Sequence, residues 1–228
     1  MSTHTKTLEA ETERSDKMYR ILKVLIAPLI RLIWVRQVSG MEHLPKEGSA
    51  IVALNHQSYF DFICFLAVSD RHVHFLAAEK FFESPIWAPI MRAMGQIRVN
   101  RTEHDKSEVN EKVRFHLERG DLIGIFPEGT RSKHEHHMLP AFTGVTKFAH
   151  KMKVPIIPVG IKGTYAVMAR HHKIPRLKKI VSIHVGEPHS LHEHHDKDLS
   201  HDEHLVLTDV VMEKISKLSG KEYLKRNS

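Results

Sequence analysis

The sequence is poor in cysteine: Cys64 stands alone among 228 residues, so no internal disulfide can form and the chain suits a reducing compartment. It lies in the apolar stretch 62–66, which marks it as a buried, inert thiol rather than a nucleophile. Long apolar runs are also missing. The longest in the most hydrophobic segment are 24–30 and 32–35, too short for the roughly 20 residues that a membrane-crossing helix needs. Residues 1–17 are polar and mixed in charge, without the apolar core of a secretory signal. Aromatics make up only 7% and do not interleave with the scattered basic residues, so a nucleic-acid reader is not expected.

What is present is positive charge. Thirty-four Lys and Arg against 27 Asp and Glu give a net charge of +7, which favours anionic partners such as a membrane surface or a phosphorylated small molecule. The stretch 18–38, MYRILKVLIAPLIRLIWVRQV, places Arg20, Lys23 and Arg31 largely opposite Leu25, Leu29, Leu32 and Ile33 on a helical projection. Pro28 predicts a kink or a break into two short helices, and Trp34 suits the headgroup level. This is the pattern of a basic amphipathic helix lying in a membrane interface. Histidine is abundant, at 20 residues, and clusters in polar loops at 133–137, 170–172 and 189–204. Without ligand spacing in an apolar frame these read as solvated loops, and no residue is assigned to a metal.

From residue 40 onward, short apolar runs alternate with helix-period segments. Strands are predicted at 50–55, 73–77, 96–99, 122–126, 155–160 and 179–185. Helices are predicted at about 60–69, 85–94, 103–119 and 143–152, briefly from 164, and at about 201–218. Continuously apolar rather than alternating strands imply burial on both faces, hence an α/β fold with a mainly parallel central sheet flanked by helices. The predicted division is a polar tail and amphipathic membrane-anchoring helix at 1–38, followed by one domain at 39–228.

The chemistry concentrates where two apolar strands end. NHQSYFD, residues 55–61, delivers His56 to the carboxyl edge of the sheet, with Asp61 five residues on. A carboxylate bonded to Nδ1–H fixes the imidazole tautomer and raises the basicity of Nε2, giving a general base. Ser58 is poorly placed as a nucleophile so close to His56. LIGIFPEGTRS, residues 122–132, ends a second strand in a loop where Gly129 permits close backbone approach. There Thr130 and Arg131 offer donors suited to phosphate, and Glu128 either holds Arg131 or orders the loop. GQIRVNR, residues 95–101, carries Arg98 and Arg101, and VPIIPVGIKGT, residues 154–164, reads as a proline-bracketed strand forming a wall of the site.

In this order and spacing the four blocks resemble the glycerolipid acyltransferases, specifically the 1-acyl-sn-glycerol-3-phosphate acyltransferase family, over about residues 40–190. The resemblance implies transfer of an acyl chain from acyl-CoA or acyl carrier protein to the sn-2 hydroxyl of a lysophospholipid, without metal, cofactor or covalent acyl-enzyme. His56 is then the base and Asp61 its orienting partner. Glu128, Gly129, Thr130 and Arg131 form the acceptor-binding loop, with Arg101 on the acceptor phosphate; Arg98 either joins them in substrate binding or faces water. Pro155, Ile156 and Pro158 line the acyl site. Such a protein is expected to be monotopic on the cytoplasmic face of a membrane, with membrane phospholipids as partners. Three positions depart from the family pattern. Residues 140–144, PAFTG, replace a lysine-containing stretch; Ala78 stands where a lysine is frequent; Arg98 stands where an apolar residue is usual. These leave open another lysophospholipid or an ornithine-type lipid as acceptor. In a different class, a lipid hydrolase using Ser58, His56 and Asp61 stays open.

Overall fold

A computed structural model describes residues 3–100, 107–172 and 174–225. In chain order the N-terminal part comprises α1 (Thr3–Leu25), α2 (Ala27–Ile33), β1 (Val35–Ser39), β2 (Ala50–Leu54), α3 (Phe60–Val68), β3 (Val73–Ala78), α4 (Lys80–Glu83), α5 (Trp87–Ala93) and β4 (Ile97–Val99). There follow α6 (Ser107–Glu118), β5 (Leu122–Ile125), β6 (His137–Met138), α7 (Gly144–Met152), β7 (Ile156–Lys162), α8 (Thr164–Met168), β8 (Val181–Val185), α9 (His201–Ser219) and β9 (Glu222–Tyr223). Seven strands form one sheet in the order β1-β8-β7-β2-β5-β3-β4; β6 and β9 pair separately. Every contact in the large sheet is parallel except β7 with β8.

Strand β2 shows why its sequence is apolar without alternation. Ala50, Val52 and Leu54 pack into a cluster with Phe60, Cys64 and Phe65 of α3 and Val167 of α8. Ile51 and Ala53 point the other way, against Val113 of α6, Val145 of α7 and Met212 of α9. Both faces of the strand are therefore sealed, as parallel sheets require. Cys64 is fully buried, and burial pushes its thiol pKa up, away from thiolate chemistry.

The N-terminal segment departs from expectation in two respects. Helix begins at Thr3, so most of the polar stretch 1–17 is helical, and the helical segment ends at Ile33 rather than running to Val38. Val35–Ser39 instead pairs with β8 as the edge strand of the sheet, so a boundary at residue 38 cuts through β1. The break expected at Pro28 falls between α1 and α2, where the proline occupies the first turn of α2 and needs no hydrogen-bonding N–H. Lys23 turns inward, donating to the Ala67 and Ser69 carbonyls at 2.8 and 2.6 Å, where α3 ends. Buried Tyr19 reaches the Ser69 carbonyl at 2.9 Å. The polar contacts of α1 thus face the domain, and Ile21, Val24, Leu25, Ile26, Leu29 and Leu32 are left exposed.

Candidate active site

The chain after β2 turns sharply because Asp61, fully buried in the first turn of α3, draws three donors to one oxygen. Its Oδ2 accepts from the backbone N–H of Gln57 at 2.7 Å, from that of Ser58 at 2.8 Å, and from His56 Nδ1 at 2.9 Å. Donation from Nδ1–H makes Nε2 the basic nitrogen of the ring. The imidazole is further held by Phe126, whose ring stacks on it with centroids 4.0 Å apart.

The 126–132 loop is tied to the same turn by its backbone and by Glu128. Ser132 N–H donates to the His56 carbonyl at 2.8 Å. Glu128, 2% exposed, accepts from His56 N–H through Oε1 at 2.6 Å and from Leu139 N–H through Oε2 at 2.7 Å. Of the two roles open to this carboxylate, ordering the loops is the one the geometry displays. Arg131 is held elsewhere: its guanidinium lies 3.7 Å from the Tyr59 ring centroid and donates to the Tyr59 hydroxyl at 2.9 Å. Burial lowers the Arg131 pKa, yet a guanidinium stays charged. Gly129 has φ +66°, and a Cβ there would meet the Phe142 ring at 2.9 Å, so both conformation and space require glycine. Thr130 is exposed on the loop.

Beside His56 an apolar cavity of about 250 Å³ runs between Tyr59, Phe62, Phe75, Ala78, Phe81, Trp87, Met91, Phe126 and Val145. Gly129 and Phe142 also line it. His56, Gly129 and this cavity therefore form one continuous site at the carboxyl edge of the sheet, with Arg131 stacked on the cavity-lining Tyr59.

These features are accompanied by a family match: residues 35–162 fit the model of the acyltransferase family, described as "Acyltransferase". The chain belongs to the acyltransferase family. It is 23% identical over 206 residues to the 1-acyl-sn-glycerol-3-phosphate acyltransferase of Bacillus subtilis, covering 90% of this chain and 98% of that one. It is 30% identical over 135 residues to the chloroplastic 1-acyl-sn-glycerol-3-phosphate acyltransferase LPAT1 of Arabidopsis thaliana, covering 58% of this chain and 37% of that one. The fold is shared with the 1-acyl-sn-glycerophosphate acyltransferase PlsC of Thermotoga maritima, with TM-score 0.66 and 23% identity over 97% of this chain and 85% of that one.

Not every residue singled out in the sequence meets at this cavity. Arg101 lies outside the described residues. Arg98 is turned away from the cavity that its neighbour Val99 lines, and pairs with Glu79 at 2.8 Å. The alternation of a strand separates the two. Pro155, Ile156 and Pro158 are not among the cavity-lining residues. Ile156 is packed in the core against Ile51 and Met212, the Pro155 carbonyl accepts from Ile51 N–H, and Pro158 sits inside β7 beside Gly186. The apolar wall comes instead from α3, β3, α4, α5 and α7. Two residues of the NHQSYFD stretch have no role in the sequence reading: Asn55 fixes the end of β2 through two bonds with the Ile161 backbone, and Gln57 Nε2 donates to the carbonyls of His134 and Glu135. Phe142 and Ala78, two of the departures from the family pattern, are cavity lining.

Burial pushes Glu128 up to about 8, against the opposing pull of the Leu139 and His56 N–H groups. The folded chain then keeps this proton to near pH 8, whereas the unfolded chain releases it around the ordinary value of 4.5. Between these values folding takes up a proton, so this group's contribution falls as pH rises, by at most about 1.4 kcal/mol per pH unit. Glu128→Gln removes that slope. Thermal unfolding of parent and variant at pH 5, 6.5 and 8 should show the stability gap narrowing with pH; a constant gap means that Glu128 is already ionised in the fold.

Proposed function

We propose that this acyltransferase moves an acyl chain from a thioester donor, acyl-CoA or acyl carrier protein, to the sn-2 hydroxyl of 1-acylglycerol-3-phosphate, yielding phosphatidic acid. The observation that carries the reading is the Asp61–His56 pair opening onto an apolar cavity, with the Arg131 guanidinium held on Tyr59 nearby. The cavity takes the acyl chain and Arg131 the acceptor phosphate; the guanidinium has five donors in all, and the Tyr59 contact occupies one. His56 Nε2 removes the acceptor hydroxyl proton as its oxygen attacks the thioester carbonyl. The C–S bond then breaks, and the imidazolium, stabilised by Asp61, returns the proton to the departing sulfur. The relatives named 1-acyl-sn-glycerol-3-phosphate acyltransferases support this choice of acceptor.

The serine hydrolase reading loses its nucleophile. Ser58 is fully buried, its Oγ donates to the Met168 carbonyl at 2.7 Å, and it is absent from the cavity lining. Among the described residues no helix is long and apolar enough to cross a membrane. The exposed apolar faces of α1 and α2 seat the enzyme in one leaflet, on the side where thioester donors are made. Purified protein incubated with lysophosphatidic acid in vesicles and labelled palmitoyl thioester should form labelled phosphatidic acid, and release no fatty acid when the acceptor is omitted. Acceptor-independent fatty acid release, or transfer only to another lysolipid, overturns the proposal.

A further inference from the structure

A strongly basic loop between α8 and β8 has no part in the transfer chemistry derived above. Residues 170–179, RHHKIPRLKK, hold five Lys or Arg and no Asp or Glu. Arg170, Arg176, Lys178 and Lys179 are exposed, and among the described residues none of the four forms an ion pair. Two large apolar side chains stand among these cations, Ile174 at 80% exposure and Leu177 at 73%. Solubility asks for the cations and not for the apolar pair. An anionic lipid surface suits both, because its phosphates take the charges and its acyl boundary takes the hydrocarbon.

The topology puts this loop at the catalytic edge of the sheet. Strands β1 and β8 run against β7 and β2, so both begin at the edge where β2 and β5 deliver His56 and the 126–132 loop. Its backbone is pinned there. The Arg176 N–H donates to the Val167 carbonyl at 2.9 Å, and the Arg176 carbonyl accepts from the Trp34 indole at 2.9 Å. Val181 N–H donates to the Trp34 carbonyl at 2.8 Å. One side of the loop is thus held against the residue that follows α2, whose Leu29 and Leu32 are exposed. At its other end Arg170 is close enough to Arg131 for the two charges to oppose each other. The loop therefore bridges the apolar face of α2 and the guanidinium assigned to the acceptor phosphate.

We propose that the loop between α8 and β8 is a second lipid-docking element, in which Ile174 and Leu177 enter an anionic bilayer and Arg176, Lys178 and Lys179 bind its phosphates. This docking builds on the interfacial seating of α1 and α2 and gives it a second point of contact, beside the active site. Two separated contacts hold the catalytic edge toward the lipid, where one helical face alone would leave it free to turn. An acidic carrier protein would also be drawn to the cations, but it gives no use to two apolar side chains contiguous with the exposed face of α2.

Cys64 is fully buried, so a thiol introduced by Leu177→Cys can carry an environment-sensitive fluorophore in the otherwise unaltered full chain. On vesicles of phosphatidylglycerol and phosphatidylcholine its emission should shift to the blue and be quenched by spin-labelled acyl chains. The same label placed through Val206→Cys, 64% exposed on α9 across the sheet, should report water throughout. Ile174→Ser with Leu177→Ser should lower partition into these vesicles at least about tenfold. Arg176→Gln, Lys178→Gln and Lys179→Gln together should lower it about 10²-fold on the anionic vesicles and leave it nearly unchanged on pure phosphatidylcholine. A label at position 177 that stays in water while the protein is vesicle-bound, or unchanged partition in both variants, overturns the proposal. Loss of transfer from an acyl carrier protein donor alone, with vesicle binding intact, assigns the loop to an acidic protein and overturns it as well. Failure of the helical seating reads differently: vesicle binding would then survive Leu25→Glu, Leu29→Glu and Leu32→Glu while the label at position 177 still reports lipid.

Discussion

Replacement of His56 by alanine is expected to lower acyl transfer by about 10²–10⁴-fold, the range typical of a lost general base, while thermal stability and vesicle binding stay near parental values. The fold should tolerate the change because the turn does not depend on the imidazole: Asp61 Oδ2 still receives the Gln57 and Ser58 N–H groups, and Glu128 still receives the His56 backbone N–H. What disappears is one nitrogen, oriented by a carboxylate on one side and by Phe126 stacking on its face. Asp61→Asn tests the same relation from the other end. An amide can accept the two backbone bonds but cannot stabilise an imidazolium by charge, so turnover falls while affinity for the acceptor is kept. Steady-state transfer with lysophosphatidic acid in vesicles measures both variants. More than a tenth of parental turnover in His56→Ala removes the base from the mechanism.

The second large effect concerns the surface of α1 and α2. Leu25, Leu29 and Leu32 are 70%, 54% and 67% exposed, so changing all three to glutamate removes no core contact. In the proposed interfacial seating, each leucine transferred from water contributes about 1.5–3 kcal/mol, and a glutamate there adds repulsion from anionic lipid. Cosedimentation with phosphatidylglycerol vesicles should fall by at least about 10³-fold in partition coefficient, with unchanged unfolding temperature. Transfer to a lysolipid presented in detergent should survive, because these residues are outside the cavity lining. Equal vesicle binding by parent and variant would falsify the interfacial seating of these helices.

The sequence revealed what is local and concealed what is assembled at long range. Strands β2, β5 and β7 were legible because double-sided burial writes an unbroken apolar run into four to six residues. β1 was not, since VRQVS is an edge strand with three exposed residues that continues the pattern of the helix before it. The helix predicted at 85–94 is shorter, α5, and a separate turn, α4, precedes it across Ser84 and Pro85, where the chain extends. His56 and Asp61 could be paired from spacing alone because a five-residue turn closes on itself. The Glu128 clamp joins residues 72 apart, and the cavity is assembled from α3, β3, α4, α5 and α7. No periodicity announces such contacts. Prolines misdirected the reading of the acyl wall: Pro155 and Pro158 mark a strand buried within the sheet, whereas the cavity is shaped by aromatic side chains of α3, α4 and α5.

The passage from α2 into β1 has a mechanical consequence. Only Trp34 separates Ile33 from Val35, and it is pinned by its indole N–H on the Arg176 carbonyl and by its ring against Phe60. The two N-terminal helices thus behave as a keel rather than a tether. Whatever plane they come to rest on fixes the pitch of the whole sheet, and with it the direction from which a substrate can approach His56.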